Sequence, residues 1–462
     1  MIKDMRDWIE LLRAQGELIE IKKEVDVKNA MGSIISDSRE KALMFENLQG
    51  YPGWRTLALA PANTRHLGIA FGIRPEEVVQ TYAEKVGLGG TPCKLVGAAP
   101  VKEVIWTGEK VDLARVPVHV TCEEDGGPFI GSGLCIVKNP ETGYRNMGIH
   151  RLHVKGRNKT GILARTETHL WQAYQKYEEK GQAMPMAVAI GHNPFIYLAA
   201  TYSGPAELDE LELAGTLAGE PLEMVKCETI DLEVPARAEI VLEGEIPPHI
   251  REEEGPYGEF PGYFTTAVGK NPVFQIKAIT MRKDAIYKAV GAFRSENVPY
   301  ASMGIAASLY KDIKQLGGGM NLKTVHVVPE LFTVIIQLTT KFEGEAKNCL
   351  LAALSGNYLH PKVAIAVDED VDIYDPSDVL WAISTRVDPV EDIIVIPNTR
   401  SHPMDISQRL IQSPGTKSWQ RMGSKVAIDA TKPSPANPEA RELFKRLTPK
   451  GWPRVRLKDY LA

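Results

Sequence analysis

A chain of 462 residues with 24% charged and 44% hydrophobic side chains has an ordinary globular composition, and its length exceeds what one hydrophobic core usually serves, so two or three domains are expected. The net charge is −5, with Lys and Arg spread along the whole chain, and no basic block or stripe runs as it would beside a phosphate backbone, which argues against nucleic acid as the main partner. Five scattered cysteines (Cys93, Cys122, Cys135, Cys227, Cys349) form no C-x-x-C pair, which suits a reducing cytosol and offers no zinc-finger spacing.

The N-terminal MIKDMRDWIELLRAQGELIEI predicts an amphipathic helix, with Met5, Trp8, Ile9 and Leu12 at helical spacing and Gly16 as its stop. It carries charges throughout and lacks the apolar core of a signal peptide. No apolar run approaches the roughly 18 residues needed to span a bilayer, so a soluble, cytoplasmic protein without a membrane span is expected. A short strand at 56–59 and a helix near 75–86 then predict a small α/β domain over residues 1–110. From Val111 the texture changes. Strand candidates GLCIVKN, RNMGIHRLHVKG, MAVAIG, AEIVLEGEI, VFQIKAITMR and AIYKAV follow with Gly and Pro punctuation, as in a barrel or sandwich. Two helices interrupt them. TETHLWQAYQKYEEKG has Thr166 as its N-cap and Leu170, Ala173, Tyr174 and Tyr177 as its apolar stripe, and AELDELELAGTL buries its leucines in the same way.

After Gly317–Met320 the pattern turns to LFTVIIQL, KVAIAVDEDVDI, the helical SDVLWAISTR and DIIVIP, which predicts a second, partly parallel α/β domain over 320–430. Residues 431–462, rich in Pro, Lys and Arg with a short helical pattern at 438–447, read as an arm that packs on another domain or subunit. The fold class is therefore α/β, in several domains.

The stretch IREEEGPYGEFPGY at 250–263 carries the sharpest chemical signal. On a continuous strand Glu254 and Glu259 would face opposite sides, but Gly255, Pro256 and Gly258 favour a turn that aims both into one cavity. Two carboxylates held close cannot both ionise cheaply, so one keeps a proton near neutral pH and serves as a general acid. For an arbitrary Glu-rich loop a solvated turn is the commoner outcome. Tyr257, Phe260, Tyr263 and Phe264 shift the balance toward a desolvated site, while Glu252 and Glu253 read as solvated. In RNMGIHRLHVKGR, His150 and His153 stand three apart and would point to opposite faces of a strand, which disfavours them as a mutual ligand pair. Arg151, mid-strand among apolar residues, calls for a carboxylate partner. Asn146 alone is a turn residue. At His169, in the first turn of its helix, a cation is disfavoured by the dipole and a neutral imidazole would be available to a metal, although a packing or surface histidine is the commoner case. Glu210 among Glu207, Asp209 and Glu212 reads by itself as a solvated face. GxGxxG opening a helix, GxxxxGK[ST], HExxH and GxSxG are all absent, which weakens nucleotide-loop, metallopeptidase and serine-hydrolase readings.

EGPYGEFPGYF closely resembles the signature of the UbiD family of prenylated-FMN-dependent decarboxylases. NMGIHR at 146–151, DELELAG at 209–215, VKCETIDLEVPARAEIVLEGEI, VAVDEDVDIYDPSDVLWAISTR and GSKVAIDAT resemble further blocks of that family in the same order, so the resemblance covers nearly the whole chain. It implies a central split β-barrel that binds prenylated FMN, spanning 111–310, with a C-terminal oligomerisation domain behind it. It implies Arg151, Glu254 and Glu259 as the catalytic set. It also implies a divalent metal, usually manganese, held by Asn146, His169 and Glu210 with the flavin phosphate, a hard-donor set. Ile149, His150, Arg151 and Thr168 would lie along the cofactor, with His150 in place of the Tyr often found there. A potassium ion is a further cofactor of the reading. A flavin prenyltransferase would supply the cofactor, the substrate would be a small carboxylic acid releasing carbon dioxide, and the assembly would be a homodimer or homohexamer. Two other classes remain open at this point: an ordinary FMN-dependent oxidoreductase on the same barrel, and a non-catalytic subunit of a multi-component decarboxylase. Segments 293–300, with Arg294 and Glu296, and 303–309 are candidates for the substrate pocket.

Overall fold

The computed structural model describes residues 2–460 apart from 39, 166–167, 266–267, 292–296, 317–320, 413–418, 452 and 456. The chain forms two compact units. One comprises Met1–Ser308, Val327–Leu331 and Arg400–Met422, and the other Leu309–His326, Phe332–Thr399 and Gly423–Ala462.

In the first unit the opening helix runs Met5–Ala14. Asp4 caps it by accepting from the Arg6 and Asp7 amides, and Met5, Trp8, Ile9 and Leu12 are its buried residues, the stripe read from the sequence. A four-stranded sheet follows, built from Leu18–Ile21, Ala42–Phe45 and Arg55–Ala58. Its fourth strand is Ile286–Lys288, parallel to Arg55–Ala58. The segment AIYKAV, expected among the barrel strands, thus completes the N-terminal sheet instead. An isolated apolar run of this length has no periodicity that says which sheet will receive it.

The main sheet has ten strands and antiparallel ladders throughout. Its path runs Phe129–Ile130, Leu152–Gly156, Lys159–Ile162, Gly269–Met281, Ile240–Ile246, Met184–Ile190, Leu134–Lys138 and Arg145–Ile149; Arg251–Glu254 and Val104–Thr107 also pair with Gly269–Met281. The last strand of this path, Arg145–Ile149, is joined by only His150 and Arg151 to Leu152–Gly156, near its opposite end. A two-residue link between distant strands forces the sheet to curl on itself, which is the split barrel. It corrects the reading of RNMGIHRLHVKG as one strand: the ladder breaks at 150–151, and Arg151 stands in the break. Leu134, Ile136, Val188, Leu242, Phe274 and Ile276 are buried inside this unit.

Helix His169–Glu179 buries Leu170, Ala173 and Tyr174, and its cap is Thr168, whose hydroxyl accepts from the Trp171 amide at 3.3 Å. Thr166, the expected cap, lies outside the described residues. Helix Glu210–Ala218 is capped by Asp209 and ends at left-handed Gly219. In the second unit, Thr333–Thr339 pairs in parallel with Val363–Val367, which pairs in parallel with residues 426–430, and the expected helix is Pro376–Arg386. A further helix, Glu345–Ser355, was not anticipated. Pro438–Glu442 is the short helix of the C-terminal segment. No helix among the described residues is long and apolar enough to cross a membrane.

Candidate active site

Strand Arg251–Glu254 ends at Gly255, whose φ of +99° lies where side chains other than hydrogen are strained, and the chain then turns so that Tyr257, Gly258 and Glu259 are all buried. The turn brings the two carboxylates to one guanidinium. Arg151 donates from Nε to Glu254 Oε1 at 2.9 Å and from Nη2 to Glu254 Oε2 at 2.8 Å, a bidentate fork, while its Nη1 contacts Glu259 Oε1. Glu254 also accepts from Asn271 Nδ2 at 3.2 Å. The side chains of Arg151, Glu254 and Glu259 are 8%, 1% and 8% exposed, so all three charges are removed from bulk water. The Tyr257 ring lies 5.0 Å from the Arg151 guanidinium carbon and supplies an apolar, electron-rich face.

Burial raises the Glu259 carboxyl above its ordinary value, and Glu254 adds to the rise. Arg151 and Arg165 oppose it. A carboxylate in apolar surroundings keeps its proton longer, which is what a general acid needs. Of the aromatic residues expected to dry the site, Tyr257 is buried, whereas Tyr263 and Phe264 are 59% and 39% exposed. Phe260 lines the same cavity as Glu259, and Phe129, which packs on Tyr257 at 4.7 Å, adds an aromatic wall that was not anticipated. Glu252 pairs with Lys159 at 2.7 Å in a partly exposed bridge, and Glu253 is exposed, as read from the sequence.

Arg151 and Glu259 open onto a cavity of about 270 Å³, near the lower end of small-ligand pockets. Ile149, Leu163, Val290 and Met404 give it apolar walls, and His150, Arg165 and Thr168 polar ones. Arg165 and Met404 were not anticipated. Arg165 lies just past a strand end among small residues, and Met404 comes from a segment some 240 residues downstream with no motif of its own. His150 donates from Nδ1 to the Leu163 carbonyl at 3.4 Å, and burial lowers it to about 4, so it faces the cavity as a neutral ring. Met303–Leu309 are not among the lining residues, and Arg294 and Glu296 lie outside the described residues.

Three family profiles cover the chain: the 3-octaprenyl-4-hydroxybenzoate carboxy-lyase N-terminal domain at residues 9–86, its Rift-related domain at 94–294, and its C-terminal domain at 300–430. The chain belongs to the UbiD family. It is thus a member of a family of carboxy-lyases. Among solved structures, it is similar to the UbiD-class enzyme HmfF from Pelotomaculum thermopropionicum in complex with FMN, at 33% identity and a TM-score of 0.90 over 99% of this chain and 100% of that one. An evolved dimeric form of HmfF in complex with prFMN matches at 32% identity and a TM-score of 0.87, covering 99% and 100%. The 3,4-dihydroxybenzoic acid decarboxylase from Enterobacter cloacae matches at 28% identity and 0.87, covering 99% of each chain.

The family's flavin and metal can be tested against this UbiD chain's own residues. A cavity lined by Ile149, Leu163, Val290 and Met404 together with the Arg165 guanidinium and the Thr168 hydroxyl has the chemistry to take a heteroaromatic ring with an anionic tail. Asn146 and Glu210 meet: Glu210 accepts from Asn146 Nδ2 at 3.0 Å and from the Met147 amide at 2.9 Å. Glu210 is 6% exposed, and burial raises it to about 7. The solvated face read from its sequence neighbours is therefore wrong for this residue, because the cap at Asp209 turns the first helical residue inward. Arg145, on the same strand as Asn146, pairs with the neighbouring Asp209, donating from Nε at 2.7 Å, and no ion pair to Glu210 is present among the described residues. Asn146 here presents its NH2 to this buried carboxylate, so the pair would offer two hard oxygen donors to a divalent ion only with the amide turned to bring Oδ1 inward. His169 is half-buried at the start of a helix that packs on the Arg145–Ile149 strand. Among the described residues no group of three His, Cys, Asp or Glu side chains is gathered for a metal, so any ion here depends on the Asn146 amide and on ligand oxygens.

Proposed function

We propose that the chain is a reversible, prenylated-FMN-dependent decarboxylase of an aromatic, heteroaromatic or α,β-unsaturated carboxylic acid, with Arg151, Glu254 and Glu259 as its catalytic groups. The observation that carries the reading is one buried guanidinium shared by two buried carboxylates at the wall of a cavity. When bound, prenylated FMN supplies the electron acceptor for the charge left on an sp2 carbon as carbon dioxide departs. The chain's residues supply position and a proton. Glu254 occupies the Nε/Nη2 edge of Arg151 with two hydrogen bonds and so fixes the plane of the fork. The Nη1 contact to Glu259 is the exchangeable one. A substrate carboxylate that takes Nη1 releases Glu259 from its ion pair, in apolar surroundings that favour the protonated form. Glu259, which takes up a proton from solvent once so released, delivers it to the carbon that has lost carbon dioxide, and in the reverse reaction it takes that proton back.

In this reading Ile149, His150 and Thr168 lie along the flavin, while Asn146, Glu210 and His169 hold manganese or a similar divalent ion, with a potassium ion as a further cofactor. A flavin prenyltransferase supplies the cofactor in the cytoplasm. The division into 1–110, a flavin-binding 111–310, an oligomerising 320–430 and an arm at 431–462 belongs to the same proposal, as does a homodimer or homohexamer. Membership of a carboxy-lyase family favours this over the oxidoreductase. The presence of Arg151, Glu254 and Glu259 together disfavours a non-catalytic subunit. The test is to isolate the protein from cells co-producing the prenyltransferase, record its absorbance, and screen aryl, furan, pyrrole and cinnamic acids for carbon dioxide release and deuterium exchange. Modified flavin with release from at least one acid supports the proposal. Unmodified FMN turning over with a nicotinamide donor contradicts it.

A further inference from the structure

His153 has no part in the chemistry so far, yet it sits at the junction of the two loops that build the site. Its ring stacks on Phe129 with centroids 4.2 Å apart and planes 22° from parallel, and Phe129 in turn packs on Tyr257, which lies against Arg151. The two ring nitrogens contact different loops. Nε2 lies 3.1 Å from the Gly126 carbonyl, and Nδ1 lies 3.3 Å from the Gly255 amide. A carbonyl can only accept and an amide N–H can only donate, so both bonds form together only in the neutral ring with its proton on Nε2.

The same two loops are tied at further points. The Gly126 amide donates to the Pro256 carbonyl at 2.8 Å, and Asp125 Oδ1 accepts from the Gly258 amide at 2.8 Å while its Oδ2 accepts from the Cys122 amide at 2.9 Å. Backbone approaches backbone so closely that a Cβ at Gly126 would stand 2.3 Å from the Gly255 carbonyl oxygen. The bonds at the Gly255 amide, the Pro256 carbonyl and the Gly258 amide all fall on 255–258, the link between Glu254 and Glu259, while the Cys122 amide holds Asp125 from within its own loop.

We infer that His153 is a positioning residue: its neutral, Nε2-protonated ring clamps the 255–258 turn to the 122–127 loop and thereby sets Glu259 against Arg151. The inference rests on the reading of Glu259 as the proton donor. Protonation of the ring replaces the Nδ1 acceptor with a second N–H facing the Gly255 N–H, which releases one side of the clamp. The charged groups around the ring are Arg151 and Lys155 on its own segment, Glu254 on the neighbouring strand and Asp125 in the facing loop; burial holds the ring below its ordinary range, and Lys155 and Arg151 push the same way. Glutamine offers one acceptor and one donor at a similar reach and does not titrate, so it separates the clamp from simple packing.

The experiment compares flavin-loaded wild type, His153→Ala and His153→Gln, reading kcat against pH together with amide hydrogen exchange of the 254–260 segment. His153→Ala is expected to keep the flavin spectrum, lose at least tenfold in kcat and exchange the segment at least tenfold faster. His153→Gln is expected to bring both back to within about threefold of wild type, and to keep the segment protected at acidic pH where the wild type begins to lose protection. Unchanged exchange in His153→Ala, or a glutamine variant as impaired as the alanine one, overturns the inference. If His153→Ala does not fold, a wild-type to His153→Gln protection ratio that stays constant from pH 5 to 8 overturns it. Should Glu259 prove dispensable, activity would lose its bearing on the clamp, but the exchange measurement would still decide it.

Discussion

Glu254→Gln isolates the charge of the residue that holds Arg151 while keeping its shape. In the wild type the Glu254 carboxylate, 1% exposed, takes two of the guanidinium's hydrogen bonds at 2.9 and 2.8 Å. Glutamine retains one acceptor oxygen and turns an NH2 group toward an N–H donor. An ion pair at about 4 Å with an effective dielectric near 20 is worth about 4 kcal/mol. With Glu254 neutral, the guanidinium's attraction falls on Glu259 alone and the repulsion between the two carboxylates disappears; both changes lower the affinity of Glu259 for its proton. If roughly a third of that interaction is transferred, about 1.4 kcal/mol, the Glu259 titration moves down by about one pH unit. A proton donor must be protonated to act, so the basic limb of the kcat/KM profile, which reports the substrate-free enzyme, moves toward acid by about one unit. On that limb the rate falls about tenfold, and a loosened Arg151 adds to the loss in kcat at every pH. The assay is carbon dioxide release by flavin-loaded enzyme from pH 5 to 9. A basic limb that stays in place or moves toward alkali refutes the reasoning.

Three other outcomes follow from the same geometry. Gly126→Ala forces a Cβ to within 2.3 Å of the Gly255 carbonyl and is expected to cost about 1–3 kcal/mol in urea unfolding, with a larger loss in kcat than in flavin content. Glu210→Ala removes the carboxylate that faces Asn146; manganese content by metal analysis and retained flavin by absorbance are both expected to fall, and full retention of both would remove Glu210 from the metal site. The Glu259 carboxyl is raised in the folded protein, so its contribution to stability is fully present below its unfolded value and is lost as pH rises through the folded one. The stability of wild type relative to Glu259→Gln should therefore decline from acid to alkaline pH, which thermal unfolding across that range checks.

What could be read from residues alone followed the strength of local signals. The stripe Met5, Trp8, Ile9 and Leu12 has one periodicity and one burial outcome, and it folds as read. Gly255, Pro256 and Gly258 exclude a plain strand, so a turn presenting Glu254 and Glu259 was legible without coordinates, and the need of Arg151 for a carboxylate partner was legible with it. The partners were not: Arg151 and Glu254 lie 103 residues apart, and their meeting depends on a barrel that curls through a two-residue link. The same limit hid Ile286–Lys288 in the N-terminal sheet, Met404 at the cavity and the Asp125–Gly127 loop behind Glu259, since each owes its place to tertiary contacts. Glu210 was misjudged because acidic neighbours at helical spacing look solvated; only the orientation of its first turn buries it. Tyr263 and Phe264 erred the other way, being apolar in composition but exposed in place.

The most direct test of the account is Glu259→Gln, purified with its flavin, assayed for carbon dioxide release from an acid that the wild type decarboxylates. Glutamine keeps the volume and a hydrogen-bonding oxygen beside Arg151 but has no acidic proton, and general acid catalysis is commonly worth 10²–10⁴-fold. Flavin absorbance equal to wild type with release reduced at least about a hundredfold is the predicted result. Equal absorbance with undiminished release would contradict it.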